Sequence, residues 1–256
     1  MSQKYWKHKY LVVLILGFST FQTAFTQSLI LRPSIGMRYY STKPSKEPSN
    51  NFDPSFMGKY NFKDMAASIS LELLYKKYSY QLVFTSQHVA NGLYSKFDTE
   101  GLIGEYTMHG GFRQFQFCYN RFFKIREKKW QFIAPFVGIG AGVGFNRPNA
   151  IYADSSFGVF TIYSLTNPNE FLRFDVHEKS LASTSYSLVL KAGFAFKRKN
   201  VERLRVEAVY NMGLRKMVQG NNIYYHTNTK YKATSYSKGS QFSILLSMPI
   251  YLKRKP

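Results

Sequence analysis

Stretches in which apolar and polar residues alternate one by one recur along this chain, and the last of them is the plainest. Between Ser240 and Leu252, Phe242, Ile244, Leu246, Met248 and Ile250 take one parity, while Gln241, Ser243, Leu245 and Ser247 take the other. Successive side chains of a β-strand point to opposite faces, so the first set builds an apolar wall and the second a mostly polar one. An amphipathic helix would return its apolar residues every three or four positions, and a period of two excludes it.

The same pattern is read over Leu29–Tyr40, Phe62–Tyr75, Tyr80–His88, His109–Lys124, Trp130–Phe145, Ser183–Phe196 and Val201–Leu214, which makes eight strands. In the fourth, Phe115, Phe117 and Tyr119 oppose Gln114, Gln116, Cys118 and Asn120. In the fifth, Val137, Ile139, Ala141 and Val143 oppose Gly138, Gly140, Gly142 and Gly144. Glycine weakens a strand unless crowding or a bend requires it, so four on one face predict a narrow barrel with a congested interior. Cys118, the single cysteine, shares the polar parity and is expected inside as a small packed side chain.

The connections alternate in length. Lys76–Ser79, Ile125–Lys129 and Lys197–Asn200 are short, whereas Ser41–Asn61, Val89–Met108, Asn146–Leu181 and Arg215–Lys238 are long. Within the longest, Ile151–Leu165 is apolar enough to fold back as a small hairpin or lid. Strict alternation with an even strand number describes an antiparallel transmembrane barrel with short periplasmic turns and long extracellular loops. A soluble lipocalin-like barrel has the opposite parity, with the apolar wall inside. The glycines and the charged residues on the polar parity favour a narrow, polar-filled lumen with the apolar wall outside.

Composition agrees. Hydrophobic residues make 45% of the chain yet mean hydropathy is −0.28, so this is not a helical membrane protein. Aromatics reach 18%, an excess suited to β-structure and to aromatic girdles at bilayer interfaces. Lys4, Lys7, His8 and Lys9 precede an apolar run, Leu11–Phe18, and the small-residue site Ala24-Phe25-Thr26. This order reads as a secretory signal over residues 1–26, cleaved before Gln27, leaving one barrel domain over 27–256. Three lysines leave with the leader, so the formal charge of +21 becomes +18. An exported basic chain is expected to meet outer-membrane lipids and lipopolysaccharide phosphates. Nucleic acid is not expected as a partner, because recognition motifs are lacking and export argues against it.

A leader, eight alternating strands, the segment PFVGIGAGVGF and the closing strand FSILLSMPIYL resemble the small outer-membrane β-barrel proteins of Gram-negative bacteria. The resemblance spans nearly all of the mature chain and implies an outer-membrane location. That family's last strand often ends in an aromatic residue read by the insertion machinery; here Tyr251 is followed by Leu252-Lys253-Arg254-Lys255-Pro256.

Two constellations carry chemistry. His88-Val89-Ala90-Asn91 is similar to the His-x-Ser-Asn motif of outer-membrane lipid A 3-O-deacylases, with alanine at the nucleophile's place. Ser86, two residues earlier and on the same face as His88, is the substitute nucleophile, and Asp98, Glu100 or Glu105 the orienting acid. The second constellation is the charge on the polar parity. Arg32, Arg38, Lys191, Arg203 and Arg205 are expected to face Asp64, Glu72 and Glu207, either as a salt-bridged plug or as a narrow anion-preferring pore. No cofactor or metal site is expected: His88, His109, His177 and His226 are scattered, and no P-loop, GxSxG or HExxH occurs. The role that fits best is non-enzymatic: a packed barrel presenting its long loops to a surface lipid, ligand or protein partner.

Overall fold

The structure, a computed structural model, describes residues 28–44, 57–58, 60–96, 103–127, 130–146, 156–163, 171–199, 201–226 and 229–253. The expected leader lies outside them. The described chain is all β. Its strands are β1 (Ser28–Pro44), β2 (Met57–Gly58), β3 (Tyr60–Tyr75), β4 (Tyr78–Lys96), β5 (Ile103–Phe122), β6 (Ile133–Asn146), β7 (Ser156–Tyr163), β8 (Phe171–Ser180), β9 (Thr184–Arg198), β10 (Val201–Gly213), β11 (Val218–His226), β12 (Thr229–Ser237), β13 (Gln241–Ser247) and β14 (Ile250–Lys253). Eight of these form the wall in the order β1-β3-β4-β5-β6-β9-β10-β13. Antiparallel pairing of β13 with β1, from Ser34↔Ser247 to Tyr40↔Gln241, closes it.

The side chains obey the parity read from the sequence. Phe117, Val137, Leu190 and Ile244 point outward, with 57%, 51%, 44% and 46% of their surface exposed. Gln114, Gln116, Cys118 and Asn120 are buried in the lumen. The lipocalin-like arrangement would have reversed both sets. Close approach at Gly140 accounts for one of the inward glycines: a Cβ there would run into the Phe117 carbonyl and lie 2.7 Å from Cys118 Sγ. At Gly142 the obstacles are instead the side chains of Ser187 and Gln114, which can move. Gly140→Ala is therefore expected to lower stability by about 1–3 kcal/mol, and Gly142→Ala by clearly less. Denaturant titration of the two refolded variants checks this, and equal losses would remove the explanation.

Several boundaries differ from the periodicity, each for a local reason. The segment Val89–Met108 is not a loop throughout. β4 runs on to Lys96 and β5 starts at Ile103, paired from Tyr78↔Arg121 out to Lys96↔Ile103. The other three long connections also carry strands: Ser41–Asn61 holds β2, which pairs with β4, and the last two hold four more. β7 and β8 pair as a hairpin, but β7 meets Phe171–Ser180 rather than folding back within Ile151–Leu165. β11 pairs with both β12 and β8, and β12 joins Lys43 and Pro44 of β1, so the loop strands raise one side of the wall as a second sheet. β8, β11 and β12 carry Phe, Tyr and Thr, which favour strands, yet apolar and polar residues occur on both their faces and hide the period of two.

Trp130–Phe132 form a turn ahead of β6, anchored by the Trp130 N–H donating to the Glu127 carbonyl at 3.1 Å. The closing strand is interrupted at Met248 and Pro249, where proline has no N–H to give to the ladder.

Candidate functional site

The lumen of the barrel gathers buried, paired charge, and it is built in layers. Nearest the short turns lie two arginines and two carboxylates. Arg32 Nε donates to Glu72 Oε2 at 2.9 Å and Arg32 Nη1 to Glu202 Oε1 at 2.8 Å. Arg205 Nε donates to Glu202 Oε1 at 2.9 Å, and its Nη2 to Glu72 Oε1 at 3.0 Å. No side chain of the four is more than 3% exposed. The Arg205 guanidinium also lies 5.1 Å and 5.0 Å from the ring centres of Phe122 and Phe136, which with Ala134 and Ala195 floor the cluster. Each arginine bridges both carboxylates, an alternating arrangement that lets fixed charges repay their lost hydration.

Above this layer, Lys191 Nζ donates to Gln81 Oε1 at 3.0 Å and lies 3.9 Å from Glu207. A small cavity follows, lined by Arg38, Lys191, Glu207, Asn211 and Ser243 among others. Its wall mixes donors and acceptors without hydrogen-bond partners in the protein, Arg38 Nη1 with Glu207 Oε2 and Asn211 Oδ1, a polar lining of the kind that buried water bridges. Amides then cross the lumen. Asn211 Nδ2 and Gln116 Nε2 both donate to Gln114 Oε1, at 2.7 and 2.8 Å, and Gln114 Nε2 donates to Ser187 Oγ at 2.7 Å. Gln87 Nε2 donates to the Gly239 carbonyl at 2.8 Å, where the chain enters β13. Toward the loop end, Phe112, Met217 and Val218 form a buried apolar cluster that no sequence pattern indicated.

One expected lumen residue is elsewhere. Arg203 faces out and is exposed, while Glu202 is buried in its place. The pairing of β9 with β10 shifts between Glu202↔Lys197 and Leu204↔Phe196, so Arg203 is the extra residue of a bulge and the parity before it is reversed. The exchange changes the electrostatics. Five cations against three acids become Arg32, Arg38, Lys191 and Arg205 against Asp64, Glu72, Glu202 and Glu207, and the lumen is neutral. The one signal for Glu202 in the sequence was its position three residues before Arg205.

The Ser86 segment has a different geometry from the one its motif implied. Ser86 Oγ accepts from Arg38 Nη2 at 3.1 Å, and Arg38 Nε lies 3.5 Å from Asp64. His88 pairs with Gly111 and Glu105 with Tyr94, six residues farther along β4. That offset amounts to roughly 20 Å of strand, too far for a carboxylate to orient an imidazole. Asp98 and Glu100 lie outside the described residues. Among the described residues no group of three or more His, Cys, Asp or Glu converges.

No family model and no curated protein matches this chain. Among solved structures it is similar to the outer membrane protein OprG from Pseudomonas aeruginosa, at 10% identity and a TM-score of 0.42, over 88% of this chain and 96% of that one.

Proposed function

We propose that this chain is a non-enzymatic outer-membrane barrel whose lumen is a sealed plug and whose loop sheet presents the functional surface. One observation carries the reading: apolar side chains cover the outside of the wall on every barrel strand, while Arg32, Arg38, Lys191 and Arg205 are turned inward and paired with acids. Met65, Ile69, Leu82, Phe117, Ile139, Phe194 and Leu246 are among the apolar side chains, each at least 44% exposed. Water would penalise a continuous surface of this kind, whereas hydrocarbon is its natural solvent. Neutrality of the lumen removes the basis for anion selectivity, and the paired layers together with the Phe112–Met217–Val218 cluster leave no passage for ions.

Refolded into vesicles, the mature protein is expected to run faster on a gel unheated than boiled and to give no channel events in a planar bilayer at high salt. Heat-insensitive mobility with membrane-free fractionation would remove the membrane reading. Unitary conductance would remove the plug and restore the pore. The ester-hydrolase alternative has no geometric support in the described residues.

A further inference from the structure

The positive charge of this chain is concentrated at one end. Four short segments lie at the strand ends opposite the loops; their described residues are 76–77, 121–127, 197–199, 201–203 and 253. Together these hold ten lysines and arginines and two acids, Glu127 and Glu202. Glu202 pairs inside the lumen with Arg32 and Arg205, so the described rim carries +9, and Lys128, Lys129, Arg254 and Lys255 continue the same segments in the sequence. The lumen contributes nothing, and the rest of the mature sequence supplies five of its +18 charges.

The rim is also placed for a particular partner. Its cations sit at the lower border of the apolar wall, against outward aromatic rings. Lys76 Nζ lies 5.3 Å from the Tyr75 ring centre, Lys77 Nζ 5.4 Å from Tyr78, and the Arg121 guanidinium 5.6 Å from Phe123. Trp130 and Phe132, stacked with centroids 5.9 Å apart, are exposed beside them. Lys76 and Lys199 occupy left-handed turn positions, both with φ of 52°, where Asn or Gly is less strained.

We infer that this cationic-aromatic collar binds the anionic phospholipid headgroups of the leaflet at the short-turn end. A protein partner would need the cations on one side of the rim. Here they follow every short turn and the end of β14 around the circumference, level with the edge of the apolar wall, as a surrounding lipid leaflet requires. The inference rests on the membrane reading proposed above.

The chain offers its own reporter. Its two tryptophans are Trp6, in the predicted leader, and Trp130, in the collar. The mature protein would be refolded into vesicles of phosphatidylcholine and phosphatidylglycerol in equal parts, with the acyl chains of one lipid or the other brominated. Quenching of Trp130 by brominated phosphatidylglycerol is expected to correspond to about fivefold enrichment over phosphatidylcholine. The enrichment should fall toward unity at about 0.5 M salt and in the variant K124Q/R126Q/K199Q, whose folded state is checked by heat-modifiable mobility. Equal quenching by both lipids at low salt would overturn the collar and leave the membrane barrel standing. No quenching by either lipid would overturn both.

Discussion

Glu72→Ala is expected to be the most damaging single truncation in the lumen, with a loss of about 3–5 kcal/mol. Glu72 accepts from both Arg32 and Arg205, and none of the three side chains reaches solvent. Without it, two buried guanidiniums share the single carboxylate of Glu202, and one positive charge is left without a counter-charge at a site removed from solvent. Urea titration of vesicle-refolded protein measures the loss. The double variant Glu72→Leu/Arg205→Met should be less damaged than the sum of the single changes, because Arg32 and Glu202 remain as a neutral pair 2.8 Å apart. A single-variant loss under about 0.5 kcal/mol would show that the cluster does not hold the barrel together.

Leu190→Arg is the second large effect, and it tests the outside. Leu190 is centrally placed in β9, paired with Ile139 of β6, and both side chains point away from the lumen. In a bilayer an arginine at mid-depth costs about 2–4 kcal/mol, falling to about 0–1 near the interfaces. Tyr75→Arg, beside the short turn, is the shallow control. The depth dependence is the diagnostic feature. On a barrel in water both substitutions would be exposed surface changes within about 0.5 kcal/mol of neutral. Matched small effects at the two positions would therefore remove lipid as the solvent of this wall.

Much of the architecture follows from local pattern. The parity of Phe115–Asn120, of the glycines in β6 and of Gln241–Ser247 is a property of each strand alone, because the direction of a side chain depends only on counting by two from its neighbour. Eight strands, their antiparallel order and the outward apolar wall could thus be read from residue order. The buried pairs of Arg32 with Glu72, and of Lys191 with Glu207, lie on faces that the same counting assigned to the lumen.

What counting by two cannot see is where the count slips or the contrast vanishes. The bulge at Arg203 arises from how β10 fits the end of β9, two strands joined by a tight turn, and it exchanges a cation for Glu202 in the lumen. The loop strands β8, β11 and β12 are held by partners in other loops, with little difference between their faces to announce them. The distance between His88 and Glu105 was likewise set by the long β4–β5 pairing rather than by their spacing in the chain. By itself the sequence determined the eight barrel strands and which side of each is apolar, since that is fixed within a strand. Only the tertiary structure decided that the described lumen charges balance, since that depends on the register in which β10 meets β9.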